Sequence, residues 1–460
     1  MPNALFAAHA LLVSGWARDV LIEWDGEGTI TRVSPGAAPG KAPIAAGPVL
    51  PGMANLHSHA FQRAMAGLAE VRGHPTDDFW TWREAMYHLV THLTPEDVQA
   101  IAAQLYVEML RHGYTSVAEF HYLHHQADGT PYEDRAELAH RVVAAARDAG
   151  IAMTLLPVLY AYGGFRHQPL NAAQRRFAGN AQSIADLLRA LSSHYLPDPR
   201  LRIGVAPHSV RALDALMLTE IVAAMDGIDA TAPIHMHVSE QLGEVSECEA
   251  THGVTPFAWI ADIVPVDRRW CFIHATHLTR SEGESLRAAA AVAGLCPMTE
   301  ANLGDGIFAF DTHFREGGRF GVGGDSHVSV SPFEELRALE YSQRLQLRVR
   351  NVSASQSAPD VATNLWLGAC AGGAQALGQP MGALMAGRRA DLVVLDGAYL
   401  DFDGLDGAGM LSCAVFSGNA NRVRDVFVAG QREIEAGRHA RQAKTEEDYR
   451  SAIRRLRAAR

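Results

Sequence analysis

The chain has 460 residues, 48% hydrophobic and 20% charged, enough to bury a large core and unlike a disordered or fibrous protein. Its formal net charge of −11 leaves no basic field for nucleic acid or an anionic membrane surface. No apolar run reaches the ~18 residues of a membrane span, no positively charged leader opens the chain, and the five cysteines form no CxxC pair. Reduced thiols in a cytoplasmic protein are expected, with neither a disulfide frame nor a cysteine-based zinc site.

Residues 1–50 read as short strands at 4–12, 20–24 and 29–33, punctuated by Gly26, Gly28, Pro35 and Gly40. From about residue 51, short apolar runs alternate with longer helical patterns. Strands are expected at 52–57, 115–120, 153–160, 201–207, 233–238, 270–274, 291–296 and 321–324, with helices at 95–112, 135–149, 181–192 and 281–290 among others. Near-continuous apolar strands alternating with helices read as a parallel sheet, and eight such units over residues 51–383 fit a TIM-like (β/α)₈ barrel. A doubly wound open sheet is the alternative, but no Gly-rich dinucleotide fingerprint comes after the first strand. Strand texture resumes over 384–440, at 390–395, 414–416, 424–428 and 431–433, so both chain ends are expected to build one small β-sandwich domain. Residues 441–460 form a charged pattern expected as a solvated C-terminal helix.

Residues suited to metal or proton chemistry collect at the ends of four barrel strands. His57-Ser58-His59 ends the first; alternation puts both imidazoles on one face, as a divalent metal needs. His235-Met236-His237 ends the fifth with the same pattern, and position does not decide which of the two is a ligand. Glu240 lies three residues later, where a carboxylate outside a coordination shell can move protons. His274 ends the sixth strand. Asp325 ends the eighth, after a Gly-rich apolar run where a carboxylate is costly to bury without a partner. Each has an ordinary reading as a packed histidine or a capping carboxylate; four such ends in one barrel favour a metal-dependent hydrolase. No cysteine sits beside an expected ligand except Cys271, on a strand face. A separate signal concerns the substrate. Gln62 lies just past the HxH, Arg83 sits in Trp80-Thr81-Trp82-Arg83, and Arg211 comes three residues after His208, facing the same way if a helix starts at Ser209. Arginine forks pair with carboxylates, so an acidic substrate can be held despite the negative net charge.

This constellation resembles the amidohydrolase superfamily, whose fold joins a deformed (β/α)₈ barrel to a β domain from both chain ends. The resemblance implies His57, His59, His237 and Asp325 as metal ligands, with Glu240 and His274 as the acid/base and water-orienting pair and Asp325 as the group that takes the water's proton. Binuclear members bridge two metals with a carboxylated lysine or another carboxylate. This chain has no lysine between Lys41 and Lys444, which excludes the lysine bridge, and one Zn²⁺ per chain is expected, with Fe²⁺ as the alternative. A closer likeness lies in residues 51–65, with Pro51-Gly52-Met53-Ala54-Asn55-Leu56-His57-Ser58-His59-Ala60-Phe61-Gln62, and in Trp80-Thr81-Trp82-Arg83, Glu119-Phe120-His121-Tyr122, Pro207-His208-Ser209-Val210-Arg211 and Gly324-Asp325-Ser326-His327. These are similar to the formiminoglutamate deiminase family of bacterial histidine degradation. That implies hydrolysis of N-formimino-L-glutamate to N-formyl-L-glutamate and ammonia, with Gln62, Arg83, Tyr122, His208 and Arg211 holding the substrate, and a homodimer. The rival expectations are a nucleobase or adenosine-type deaminase using the same machinery, and a barrel without chemistry that serves in an assembly.

Overall fold

The computed structural model describes residues 3–68, 70 and 79–458, without the side chains of residues 79–81. The strands Met53–Ser58, Tyr114–His121, Ala152–Leu159, Ile234–Val238, Trp270–His274 and Val292–Leu295 are buried at every residue. Strands apolar on both faces need cover on both faces, and parallel strands with crossover helices supply it. Two parallel sheets result. One runs Met53–Ser58, Tyr114–His121, Ala152–Leu159, Leu201–Ile203; the other runs Ile234–Val238, Trp270–His274, Val292–Leu295, Arg319–Val322. Parallel bridges Val205–Ile234 and Ser58–Asp325 join them at both seams, giving a TIM-like barrel of eight parallel strand positions.

The fourth position is broken. Expected as one strand, it forms Leu201–Ile203 and then Ala206–Pro207, with Gly204 between them pressed against the Pro233 carbonyl. Helix starts are set by local capping. Thr94 and Asp97 make a reciprocal capping box before Pro95–Arg111, as Thr279 and Glu282 do before Arg280–Ala288.

Both chain ends enter one eight-stranded sheet. The N-terminal strands Ala4–Leu12, Gly15–Trp24 and Ile30–Ser34 join Leu392–Leu395, Val423–Val428, Gln431–Glu435 and Arg438–His439 through the short strand Val49–Pro51. That linking strand lies at the expected boundary between the small β domain and the barrel, where the sequence suggests no separate strand. One expected strand is wrong: residues 414–416 belong to the helix Gly407–Phe416. Asp406 caps its start through the Gly409 amide, and Leu411, Ala414 and Val415 recur at helical spacing on the buried side. The final helix, Gln442–Ala458, is less solvated than expected. It buries Thr445, Ala452, Ile453 and Leu456 and pairs Arg455 with Asp97 of the helix Pro95–Arg111; residues 459–460 lie outside the described residues.

Helix Val361–Leu377 packs unusually close to the barrel. A Cβ at Gly372 would run into the Phe320 carbonyl. Gly372→Ala should therefore destabilise the fold by on the order of 1–3 kcal/mol of overpacking and so lower the thermal midpoint. Gly227 sits in the helix Ala215–Asp229 with open space around its Cβ position. Gly227→Ala should instead stabilise by roughly 0.5–1 kcal/mol. Equal midpoints for the two variants would contradict the close approach.

Candidate metal centre and substrate pocket

Strand alternation and barrel closure bring His57, His59 and His237 together, with one ligand nitrogen from each inside a 4.8 Å cluster. His59 Nδ1 donates to the Phe120 carbonyl at 3.1 Å and His237 Nδ1 donates to the His208 carbonyl at 3.1 Å. These bonds fix the tautomers and leave both Nε2 lone pairs facing the cluster. His57 Nε2 lies 3.1 Å from His237 Nε2, and Asp325 Oδ1 lies 3.4 Å from Nε2 of both His57 and His59. Burial, and for His57 the neighbouring His59 and His274, push the His57 and His237 imidazoles well below the usual histidine range. His59 is lowered by burial, against the pull of Asp325. Neutral, buried, converging imidazoles beside one carboxylate are the donor set a divalent cation takes, so the residues fit such an ion. His235, on the same strand as His237, is drawn away: its Nε2 donates to the Ala376 carbonyl at 2.7 Å, and burial pushes it down to about 4.

Glu240 and His274 stand beside this cluster. His274 Nε2 is 3.6 Å from Glu240 Oε1 and 3.8 Å from Asp325 Oδ2. Its Nδ1 faces Glu300 Oε1 at 3.3 Å. Burial disfavours the imidazolium, but Glu240, the Glu300 hydrogen bond and Asp325 outweigh it and hold His274 well above the usual range. Burial raises the Glu240 carboxyl, with His274 opposing. Ser239, His274, Ala275, Asp325 and His327 all take left-handed backbone conformations, with φ of 50°, 66°, 54°, 48° and 59°. Such conformations are costly for non-glycine residues and concentrate where a fold fixes functional side chains.

The pocket above the cluster is lined by Gln62, Trp82, Arg83, Tyr122, His208 and Arg211 together with Tyr87, Tyr160, Glu240 and Leu303. Gln62 Nε2 donates to Tyr122 Oη at 2.8 Å, and the Tyr122 ring stands 4.9 Å from that of His59. Arg83 comes from the helix Phe79–Val90 and lies 5.6 Å over the Tyr87 ring. The side chains of Trp80 and Thr81 lie outside the described residues. Arg211 is buried, 3.8 Å from Glu244 Oε1; burial disfavours its charge, but Glu244 leads the neighbours that raise it. Burial pushes His208 well below the usual range, and Arg211 adds to this. A larger open groove lies under the opposite end of the barrel, lined by Arg202, Arg268, Arg319 and Gln375, and none of the strand-end chemistry reaches it.

Two local expectations are corrected. No helix starts at Ser209; residues 210–213 form a turn and a bend and the helix Ala215–Asp229 begins later, capped by Asp214, yet His208 and Arg211 still share the pocket. The cysteine beside the cluster is Cys296 and not the expected Cys271: the Cys296 sulfur lies within 4.8 Å of ligand atoms of His274 and Asp325. Burial pushes that thiol well above its usual range, which keeps it neutral. Sequence reasoning misses Glu244, Glu300 and the aromatic walls Tyr87 and Tyr160. It also misses Asp305, a buried carboxyl pushed up to about 9 by burial and by Glu240. Glu119 enters the sequence reading only as part of a motif. It is buried beneath the His57–His59 turn, and burial pushes it up to about 7 against hydrogen bonds from Ser58, Ala60 and Tyr106.

The chain belongs to the amidohydrolase family, whose model matches residues 49–432. Residues 2–43 match the model described as "Formimidoylglutamate deiminase HutF, N-terminal domain". The chain is 50% identical over 438 residues to the formimidoylglutamate deiminase of Pseudomonas aeruginosa, covering 95% of this chain and 96% of that one. It is 26% identical over 388 residues to the 5-methylthioadenosine/S-adenosylhomocysteine deaminase of Natronomonas pharaonis, covering 84% and 81%. Among solved structures, an amidohydrolase from Brucella melitensis superposes with a TM-score of 0.93 at 43% identity, over 98% of this chain and 99% of that one. A zinc-bound adenosine deaminase from Xanthomonas campestris shares the fold, with a TM-score of 0.81 at 21% identity over 99% and 98%.

Proposed function

We propose that this chain is a zinc-dependent formimidoylglutamate deiminase of histidine degradation. It hydrolyses N-formimino-L-glutamate to N-formyl-L-glutamate and ammonia. The observation that carries the reading is the pairing of two arginines, the half-buried Arg83 and the buried Arg211, with a histidine–carboxylate cluster in one pocket. The half-identical, near full-length relative from Pseudomonas aeruginosa supports it. His57, His59, His237 and Asp325 would hold one Zn²⁺, with Fe²⁺ as the alternative. When bound, the ion supplies Lewis acidity and lowers the pKa of the attacking water towards ~7.

The rest falls to side chains. Asp325 takes the first proton of the water. His274, braced from behind by Glu300, hydrogen-bonds the nucleophile and aims it at the formimino carbon. A C–O bond forms there; Glu240 takes the remaining hydroxyl proton and passes it to the terminal nitrogen, the C–N bond breaks as the carbonyl forms, and ammonia leaves. An amidine is largely cationic at neutral pH, so an anionic Glu240 also attracts it. Arg83, Arg211, Gln62, Tyr122 and His208 hold the glutamate part. Burial makes each arginine–carboxylate pair count for more than it would in water.

Several coarser features complete the reading. Residues 51–383 form the hydrolase barrel. Residues 1–50 and 384–440 form the small β-sandwich domain, a boundary supported by the bridge Thr29–Arg389, which ties the start of the edge strand Ile30–Ser34 to the segment leading into Leu392–Leu395. Residues 441–460 are its tail, helical over Gln442–Ala458 among the described residues. A homodimer in the cytoplasm is the expected setting; the five cysteines are buried and unpaired, as a reducing compartment allows, and light scattering checks the assembly.

Two experiments test the reading. Metal-replete protein given N-formimino-L-glutamate should release ammonia and N-formyl-L-glutamate in equal amounts; release of glutamate and formamide would overturn the proposed bond cleavage. On the strand Ile234–Val238, His237→Ala should lose the metal, and His235→Ala, which gives up only its bond to the Ala376 carbonyl, should keep it. Elemental analysis of both variants checks this, and the reverse pattern would reassign the ligand.

A further inference from the structure

Glu119 is 2% exposed and takes no part in the proposed reaction steps. Its carboxylate is nonetheless the most heavily bonded group next to the metal cluster. Oε1 accepts the Ala60 amide at 2.8 Å, immediately after His59. Oε2 accepts Ser58 Oγ at 2.6 Å, between the two histidines, and Tyr106 Oη at 3.0 Å. The Ser58 hydroxyl spends its one proton on Glu119, so at 2.9 Å it accepts from His327 Nε2. His327 lies two residues past Asp325. The backbone runs in parallel with this chain of side chains: the His59 amide donates to the Asp325 carbonyl at 3.2 Å, and the Asp325 amide to the His57 carbonyl at 3.0 Å.

We propose that Glu119 is a positioning residue of the metal centre: it grips the His57–Ser58–His59 turn on both sides and, through Ser58 and His327, locks that turn to the strand end that carries Asp325. The HxH motif ends a strand, and the next element is the short 3-10 helix Ala60–Met65, with no side-chain cap on its start. The Phe120 carbonyl holds the His59 ring at Nδ1, and no side-chain cap at the helix start braces the turn between the two imidazoles. Glu119, on the neighbouring strand Tyr114–His121, braces it from outside.

This inference rests on the metal centre of the proposed function, and its test separates the two. Glu119→Gln keeps the shape but replaces one acceptor oxygen with a donor amide, so one of its three donors loses its partner. The apo fold should persist by circular dichroism. Metal affinity, measured by chelator competition, should fall by about 10- to 100-fold, the usual scale for groups that orient ligands. The d–d absorption of the Co²⁺-substituted protein should shift, which a merely structural role would not cause. Ser58→Ala removes a single link and carries the test if Glu119→Gln fails to fold; it should weaken metal binding less. In the double variant the losses should be smaller than the product of the two, because both act through one turn. Wild-type metal affinity and an unchanged cobalt spectrum in the folded variants would overturn the role of Glu119. A wild-type protein that binds no stoichiometric metal would instead refute the centre itself.

Discussion

Glu240→Gln should keep its metal and lose turnover by at least ~10²-fold, the scale of losing a general acid or base. Glu240 stands outside the His57–His59–His237 cluster, with Oε1 3.6 Å from His274 Nε2; it could also hold an ion together with His274 and Asp305, and the proposed mechanism gives it proton transfer, which this variant tests. Its backbone is fixed independently: Glu244 Oε2 accepts the Glu240 amide at 3.1 Å. Glutamine can keep the same position and shape, but it cannot deliver the proton that turns the leaving nitrogen into ammonia. The loss should fall on kcat through the missing proton transfer, and kcat/KM should fall at least as far, because the carboxylate's attraction for the cationic amidine goes with it. Elemental analysis and steady-state kinetics on one preparation check both halves. Retained turnover, or metal loss equal to that of His57→Ala, would move Glu240 out of the proton-transfer role.

Arg211→Met should lower kcat/KM for N-formimino-L-glutamate by roughly 10²-fold or more while leaving the metal content intact. The substrate brings two carboxylates to a chain of net charge −11, so affinity depends on local cations. Arg211 is buried and lines the pocket. Methionine keeps much of the stem and removes the fork. A substrate carboxylate left without its partner in a desolvated site then loses a few kcal/mol, and each ~1.4 kcal/mol is a factor of ten. Arg83→Met should act in the same direction. Formamidine, which has no carboxylate to anchor, should be a poor substrate for the wild type and both variants. Wild-type efficiency in both arginine variants would remove the dicarboxylate reading and promote a purine-type deaminase.

The barrel is legible in the sequence because its strands are apolar on both faces, a pattern that survives without any alignment. Glycine, proline and capping residues mark the ends of its helices. Residues 414–416 read as strand because three apolar residues carry no periodicity that separates strand from helix. The signal that decides, Asp406 as the cap, lies eight residues upstream of that run. The expected helix at Ser209 fails for a related reason: the cap that starts the helix is Asp214. At the site, the four strand ends are readable because ligand spacing within a strand is local. The groups that hold them are not. Glu119 meets Ser58 across 61 residues, and Glu300 meets His274 across 26. Only the closure of the barrel makes either pair neighbours, and a buried glutamate in a helix or strand pattern looks in sequence like any solvated one. His235 and His237 share one strand face, so their separation also needs the fold: a carbonyl at Ala376 claims the first and the imidazole cluster claims the second.

The most direct test of the proposed activity sets two substrates against each other in one assay. Metal-replete protein is given N-formimino-L-glutamate and, in parallel, S-adenosylhomocysteine, the substrate named for its more distant deaminase relatives, and ammonia release is monitored for both. A site built on Arg83 and Arg211 should favour formiminoglutamate in kcat/KM by several orders of magnitude, with no ammonia from S-adenosylhomocysteine above background. Comparable turnover of both substrates, or preference for the nucleoside, would contradict it.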